Sequence, residues 1–359
     1  MGMQPMRRLS LAELSAEHLR ERLQAGRWHA ALPGVARLAA EMDVSRDTIR
    51  AALRLLEADG VLDARGLGRS RTVSAHEAAR RPLRVGILQH DALPDSQNKT
   101  SQVLLQIQRH LGEASNEVFF AAKTQVQLRH DVKRITRLIG ASPADAWIVV
   151  AGSRGLLEWF AAQALPCLAL YGRTDGLVLA RTGPDKVPAY LAATRHLLAL
   201  GHRRIVLIAR QARRKPTPGN VERAFLEELT AHGIITGDYH LPDWEETPAG
   251  YSNLLERLFE RTPPTAMILD ESAQFIATME FLARRRIHVP EQVSLVSTDD
   301  DAALAWCHPG VALIKWDTAP IVRHIVRWVA AVRKGTAHRK TVNYPSVFVP
   351  GGSIGPVGR

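Results

Sequence analysis

VSRDTIRAALRLLEADG, residues 44–60, decides how the first part of the chain folds. Ser45 stands just ahead of a run in which Ile49, Ala52, Leu53 and Leu56 return on one helical face, leaving Arg46, Thr48, Arg50 and Arg54 more exposed. A serine there can accept a hydrogen bond from a first-turn amide and so start a helix. Asp59-Gly60 ends it, glycine being the residue that most easily turns left-handed. Upstream, Pro33-Gly34 opens another helix with Leu38, Ala39 and Met42 inward, and Asp43-Val44-Ser45 breaks the two apart. Earlier still, Ser10-x-x-Glu13 has the spacing of a capping box. Leu11, Leu14, Leu19 and Leu23 then recur at helical intervals until Gly26, and Trp28 in the following connector is expected on the small core. Downstream, Val61-Leu62 and Arg71-Thr72-Val73 read as two short strands around Arg65-Gly66-Leu67-Gly68-Arg69.

Three short helices and a basic hairpin predict a winged helix-turn-helix over residues 1–75. The third helix has the shape and charge for a major groove, and the hairpin would set its arginines near flanking phosphates or in the minor groove. Small helical domains with exposed arginines often bind no DNA, so the pattern alone leaves a purely structural reading open. The residues add a resemblance. LPGVARLAAEMDVSRDTIRAALRLLEADGVLDARGLGRSRTV, residues 32–73, looks like the DNA-binding domain of GntR-family regulators, the likeness covering roughly 10–75. Ala36 stands where that family has an arginine, leaving Arg37 as the substitute, and Asp43 occupies the usual turn glycine. The expected DNA-facing set is Arg37, Ser45, Arg46, Thr48, Arg50, Arg65, Gly68, Arg69 and Arg71.

Composition bounds the remainder. At 359 residues the chain holds more than one folding unit, and its 46% hydrophobic and 23% charged content is that of a soluble globular protein. No apolar run approaches the ~18 residues of a membrane span, and the charged N-terminal residues lack a signal peptide's apolar core, so the expectation is a cytoplasmic protein with no membrane partner. Cys167 and Cys307 could form one disulfide on paper but read better as reduced thiols. The 14 histidines show no HExxH or CxxC spacing, and neither metal nor cofactor is expected. The net charge of +11 suggests nucleic acid, yet residues 1–80 hold 13 Arg against 10 acids, only +3 of that total. Local pattern, not bulk charge, carries the DNA reading.

Residues 76–82 form a polar linker ending in Pro82. Beyond it, apolar strands at 83–88, 117–121, 146–150, 167–171, 205–209, 266–270 and 293–298 alternate with helical stretches. The helices lie near 100–115, 129–140, 154–164, 186–200, 220–233, 249–261 and 272–286. That alternation predicts parallel sheets covered on both faces, and some 275 residues divide naturally into two lobes. LLALGHRRIVLIA, PPTAMILDESAQFIATMEFLARRRIHVPEQVSLVSTDDD and HPGVALIKWDTAPIVRHIVRWV resemble, in order and spacing, the effector domain of LacI/GalR-family repressors. The resemblance implies a type I periplasmic-binding-protein-like, two-lobed, doubly wound α/β domain over 83–359. Lobe 1 would hold about 83–180 plus 318–342, lobe 2 about 181–317, and the C-terminal crossover 343–359.

Ligands of open α/β sheets bind beyond the carboxyl ends of the strands. Asp299 matches the first acid of that family's Phe-Asp-Asp element, which hydrogen-bonds a ligand hydroxyl; Asp299-Asp300-Asp301 could equally be a solvated turn or helix cap. Asp270 keeps the second member of an Asn-Asp pair whose first is Leu269. Trp244 and Trp316 are candidate platforms for a sugar face or else core, and Ser153 and Arg173 follow first-lobe strands. Val221 replaces an expected arginine, with Arg223 offset along the helix, and Gly351-Gly352-Ser353 replaces Arg-x-Ser. These departures disfavour a simple hexose. The whole predicts a homodimeric, ligand-responsive DNA-binding transcription regulator, a repressor that binds double-stranded operator DNA and a small polar effector such as a carbohydrate. The competing readings are an α/β enzyme, against which stand the missing phosphate loop, GxSxG and GxGxxG motifs, a secreted transport receptor, and a ligand-independent DNA binder with a filled cleft.

Overall fold

The computed structural model describes residues 10–24, 32–63, 71–73, 82–91 and 99–358. Helices α1 (Leu11–Gln24), α2 (Val35–Met42) and α3 (Arg46–Ala58) precede a two-residue antiparallel pair, β1 (Leu62–Asp63) and β2 (Thr72–Val73). Both halves of the capping box form: Ser10 N donates to Glu13 Oε2 at 2.7 Å and Glu13 N to Ser10 Oγ at 3.2 Å. Leu19, Leu23, Leu38, Ile49, Leu53 and Leu56 close one small core. Leu11 and Leu14, expected on the inner face, are more than half exposed because the buried stripe runs instead through Ser15, Ala16, Leu19 and Leu23. Asp43 takes a left-handed conformation at φ 53°, doing the work of the absent turn glycine. Trp28 lies outside the described residues.

The larger part is built on ten strands. β3 (Arg84–Leu88), β4 (Glu117–Phe120), β5 (Ala146–Val150), β6 (Cys167–Leu170) and β7 (Ala180–Asp185) run parallel in the order β4-β3-β5-β6-β7. β8 (Ile205–Ile208), β9 (Ala266–Leu269), β10 (Ser294–Ser297) and β11 (Ala312–Trp316) form a second parallel group in the order β11-β10-β9-β8. β12 (Thr341–Val349) belongs to both: Thr341–Pro345 pairs in parallel with β7, and Ser346–Val349 pairs antiparallel with β11. The first group therefore extends through Asp185, beyond the expected changeover near 180–181. β7 escapes a hydrophobicity reading because ARTGPD carries glycine, proline and charge rather than an apolar run.

Each group is covered on both faces. α4 (Lys99–Glu113) and α12 (Ala319–Arg333) pack Val103, Ile107, Ile325 and Trp328 on one side of the first lobe, and α5 (Val132–Ala141) and α6 (Arg154–Ala161) pack Ile135, Leu156 and Phe160 on the other. In the second lobe α10 (Pro248–Arg261) and α11 (Ser272–Arg284) oppose α7 (Val187–Ala199) and α9 (Asn220–Ala231) across the sheet. A four-residue helix, α8 (Gln211–Arg214), follows β8. Gly86 in central β3 has no room for a side chain: a Cβ there would lie 2.7 Å from the buried ring of Trp147. After β12 the chain returns to the second lobe. Ala312 N donates to Ser353 Oγ at 2.9 Å, which donates to Leu295 O at 2.7 Å. Both cysteines are free.

Candidate functional site

The carboxyl ends of β8, β9 and β10 deliver Arg210, Asp270 and Thr298–Asp299 to the side of the second lobe that faces the first. Asp270 is nearly buried and forms the centre of a fixed cluster. Arg213 Nη1 pairs with its Oδ1, Thr298 Oγ1 donates to the same oxygen at 3.3 Å, and Tyr190 OH lies 3.5 Å away. The other Arg213 nitrogen pairs with Glu222 Oε1 at 2.6 Å, and the guanidinium lies 5.7 Å from the Tyr190 ring centre. Burial alone would raise the Asp270 pKa, but Arg213 and then Lys186 hold it below the ordinary carboxylate range. Burial works against the Arg213 charge too, and Asp270, Tyr190 and Glu222 outweigh it, leaving the guanidinium firmly protonated.

The three consecutive aspartates have different tasks. Asp301 accepts from Ala303 N at 2.8 Å and so caps a 3-10 turn, Ala302–Trp306, which is the cap reading of the sequence. Asp300 pairs with Lys99 of α4 at 2.8 Å, joining the lobes. Asp299 makes its side-chain contact with the amide of Ser272, and burial raises its pKa against the pull of Lys186. Of the three, Asp299 is the carboxylate still disposed to accept from a ligand.

Two further contacts cross between lobes. Arg173, from the loop after β6, donates to Lys215 O at 2.7 Å and to Thr217 O, and Asn220 Nδ2 donates to Asp175 Oδ1 at 3.0 Å. Arg173 is thus a bridge between lobes. Trp316 ends β11 with Lys99 Nζ 4.7 Å from its ring centre and Tyr171 edge-on at 6.1 Å, so one indole face is already covered. Trp244 is set apart from the Asp270 cluster: its Nε1 donates to Ala209 O at 3.0 Å and its ring meets Tyr251 at 5.4 Å. There it supports second-lobe packing and lines a shallow hollow with Lys215, Asp243 and Asn253. Ser153 precedes α6 without a side-chain capping bond. Sequence reading missed Arg213, Glu222, Tyr190, Lys186 and Lys99. The run Arg210/Arg213/Arg214/Lys215 was visible as charge, but nothing in it says which member turns inward.

On the helical domain, Ser45 Oγ accepts from Thr48 N at 3.0 Å and meets Thr48 Oγ1 at 2.8 Å, so both residues are engaged in starting α3. Arg46, Arg50 and Arg54 are exposed; Arg50 pairs with Asp47 at 2.7 Å. Arg37 is exposed and reaches Glu41 at 3.2 Å. Arg71 binds Glu57 at the end of α3, which fastens the β1–β2 pair to the helix rather than leaving the guanidinium free. Arg65, Gly68 and Arg69 lie outside the described residues.

Residues 11–71 match the family described as bacterial regulatory proteins, gntR family, and residues 194–354 match a periplasmic binding protein-like domain. The chain joins a GntR-type winged helix-turn-helix to a LacI-type, periplasmic-binding-protein-like domain. Among relatives of this two-part chain, the HTH-type transcriptional regulator AscG of Escherichia coli strain K12 is 26% identical over 137 residues, 37% of this chain and 40% of the relative. The HTH-type transcriptional regulator RafR of Escherichia coli is 28% identical over 193 residues, 53% of this chain and 57% of the relative. The matched stretches thus span about half of these regulators' length. A LacI-type transcription regulator from Bifidobacterium animalis subsp. lactis superposes with a TM-score of 0.62 at 21% identity, covering 76% of this chain and 99% of that one, a likeness of fold. No helix among the described residues is long and apolar enough to cross a membrane, and no three His, Cys, Asp or Glu side chains among them converge as a metal site.

Proposed function

We propose that the GntR–LacI-type chain is a cytoplasmic, ligand-responsive transcription regulator that acts as a homodimeric repressor. The observation that carries the reading is the pairing of an exposed arginine face on α3 with a two-lobed domain whose facing surfaces converge on Asp270 and Asp299. Arg46 and Arg50 supply base and phosphate contacts, and a second copy of the chain supplies the matching half-site. A small polar effector between the lobes hydrogen-bonds Asp299. Because Lys99–Asp300, Arg173–Lys215/Thr217 and Asp175–Asn220 span the lobes, a ligand that favours one lobe spacing biases all three. A preference of about 1–3 kcal/mol between the two spacings is enough to control DNA affinity.

The test is selection of genomic fragments by the full chain, followed by anisotropy on the best fragment with and without a metabolite panel. The expected result is binding tighter than to random DNA, an effector that shifts it, and loss of that shift in Asp299→Ala. Equal affinity for random DNA overturns the regulator reading. An effector that binds tightly yet leaves DNA affinity unchanged overturns the sensing mechanism.

A further inference from the structure

Lys186 lies between the end of β7 at Asp185 and the start of α7 at Val187, beside the Asp270 cluster. It is half-buried, and its charge is felt by Asp270, Arg213, Asp299 and Glu222. Among the described residues, however, no hydrogen bond or ion pair reaches its Nζ. The adjacent carboxylates are committed elsewhere: Asp270 takes Arg213 and Thr298, and Glu222 takes Arg213. Arg213 is therefore an internal counterion, and Lys186 is the cation left over. Burial lowers its pKa, the sign of an ammonium that has lost water without gaining a full complement of acceptors. The positive end of the 13-residue helix α7 begins at the next residue, and Lys186 as its N-cap makes no side-chain capping bond. Two independent features thus favour negative charge at one point. Across from it, Asp299 interacts with Lys186 through its field but stands beyond ion-pair distance. The gap has a donor-only end and an acceptor-only end.

Resting on the effector reading above, we infer that Lys186 binds an oxyanion of the effector, so that the cleft takes an acidic carbohydrate, with a carboxylate or phosphate at Lys186 and hydroxyls donating to Asp299. A neutral sugar would satisfy Asp299 and leave the ammonium with hydroxyl acceptors only. An anionic oxygen gives it a charge-assisted bond, roughly twice as strong. The same arrangement explains why the positions facing a neutral sugar in related repressors are altered here at Val221 and Leu269.

The experiment titrates the full-length protein with matched pairs: glucose against gluconate, glucose against glucose 6-phosphate, and galactose against galacturonate. Tryptophan fluorescence and melting temperature are followed throughout. The acid member of at least one pair binds about 10- to 100-fold more tightly than its neutral partner. The gluconate and glucose 6-phosphate arms separate a carboxylate from a phosphate. Lys186→Gln reduces the acid to the affinity of its neutral partner, while Lys186→Arg, which keeps the charge, retains the preference. Neutral sugars that bind as tightly as the acids, or an acid preference that survives Lys186→Gln, overturn the inference while leaving the sensor intact. A panel in which nothing binds removes both readings.

Discussion

Replacing Arg213 with methionine isolates what the cleft's central guanidinium does. The stem is kept and the charge removed. Asp270 and Glu222, whose side chains are 9% and 2% exposed, would then face each other with their shared cation gone. Removing one partner of a buried pair costs about 3–5 kcal/mol, because the remaining charge is left uncompensated. The pH dependence gives the sharper test. In the wild type Asp270 is held below its ordinary pKa, so its contribution to stability is complete above the unfolded value near 3.9 and is lost as pH falls through the lower folded value. In Arg213→Met the sign reverses for the stranded carboxylates. Burial now lifts their folded pKa above the unfolded one, and the variant regains stability as pH falls through that raised value. Urea unfolding followed by tryptophan fluorescence suits the measurement, since six of the seven tryptophans lie beyond residue 82. The expected gap between wild type and variant is widest near neutral pH and narrows on acidification to about pH 5. A loss under ~1 kcal/mol, or a gap that stays constant with pH, would refute the argument that Arg213 serves as the counterion of a buried acid pair.

Arg46→Ala weakens binding to the selected DNA fragment by about 1–3 kcal/mol in an anisotropy titration, and no change would move base contact elsewhere on α3. Ser45→Ala removes the acceptor for Thr48 N and destabilises the helical domain by roughly 0.5–2 kcal/mol, seen as reduced helical signal on mild heating. Gly86→Ala forces a methyl into the Trp147 ring and costs about 1–3 kcal/mol in urea unfolding; an unchanged midpoint would mean that the ring has space to withdraw.

The helices of the first domain and most parallel strands were legible because local rules determine them. Ser45 caps α3 from its own first turn, and Ile49, Leu53 and Leu56 mark the inner face. β7 was not legible, for its strand character comes from β6 and β12 on either side and not from Thr182-Gly183-Pro184. The site divided along the same line. Asp270 and Asp299 follow strands whose ends a sequence can locate. Arg213 meets Asp270 across 57 positions of chain, and Lys99 reaches Asp300 only because two lobes approach. Arg71 shows the converse case: a basic residue in a basic hairpin, drawn to Glu57 by packing that composition does not reveal.

The strand shared by both lobes also fixes the order in which the molecule can be completed. β7 and β11 each present a bare edge until β12 inserts between them, and β12 is made more than 150 residues after β7 and after every other strand of the ten. On the ribosome, both half-sheets therefore wait, side by side and open, until residue 349 has emerged. A chain interrupted after 340 would keep nearly all of its core residues and yet carry two unpaired strand edges into the cell, the form of incomplete protein most prone to pair with its own copies.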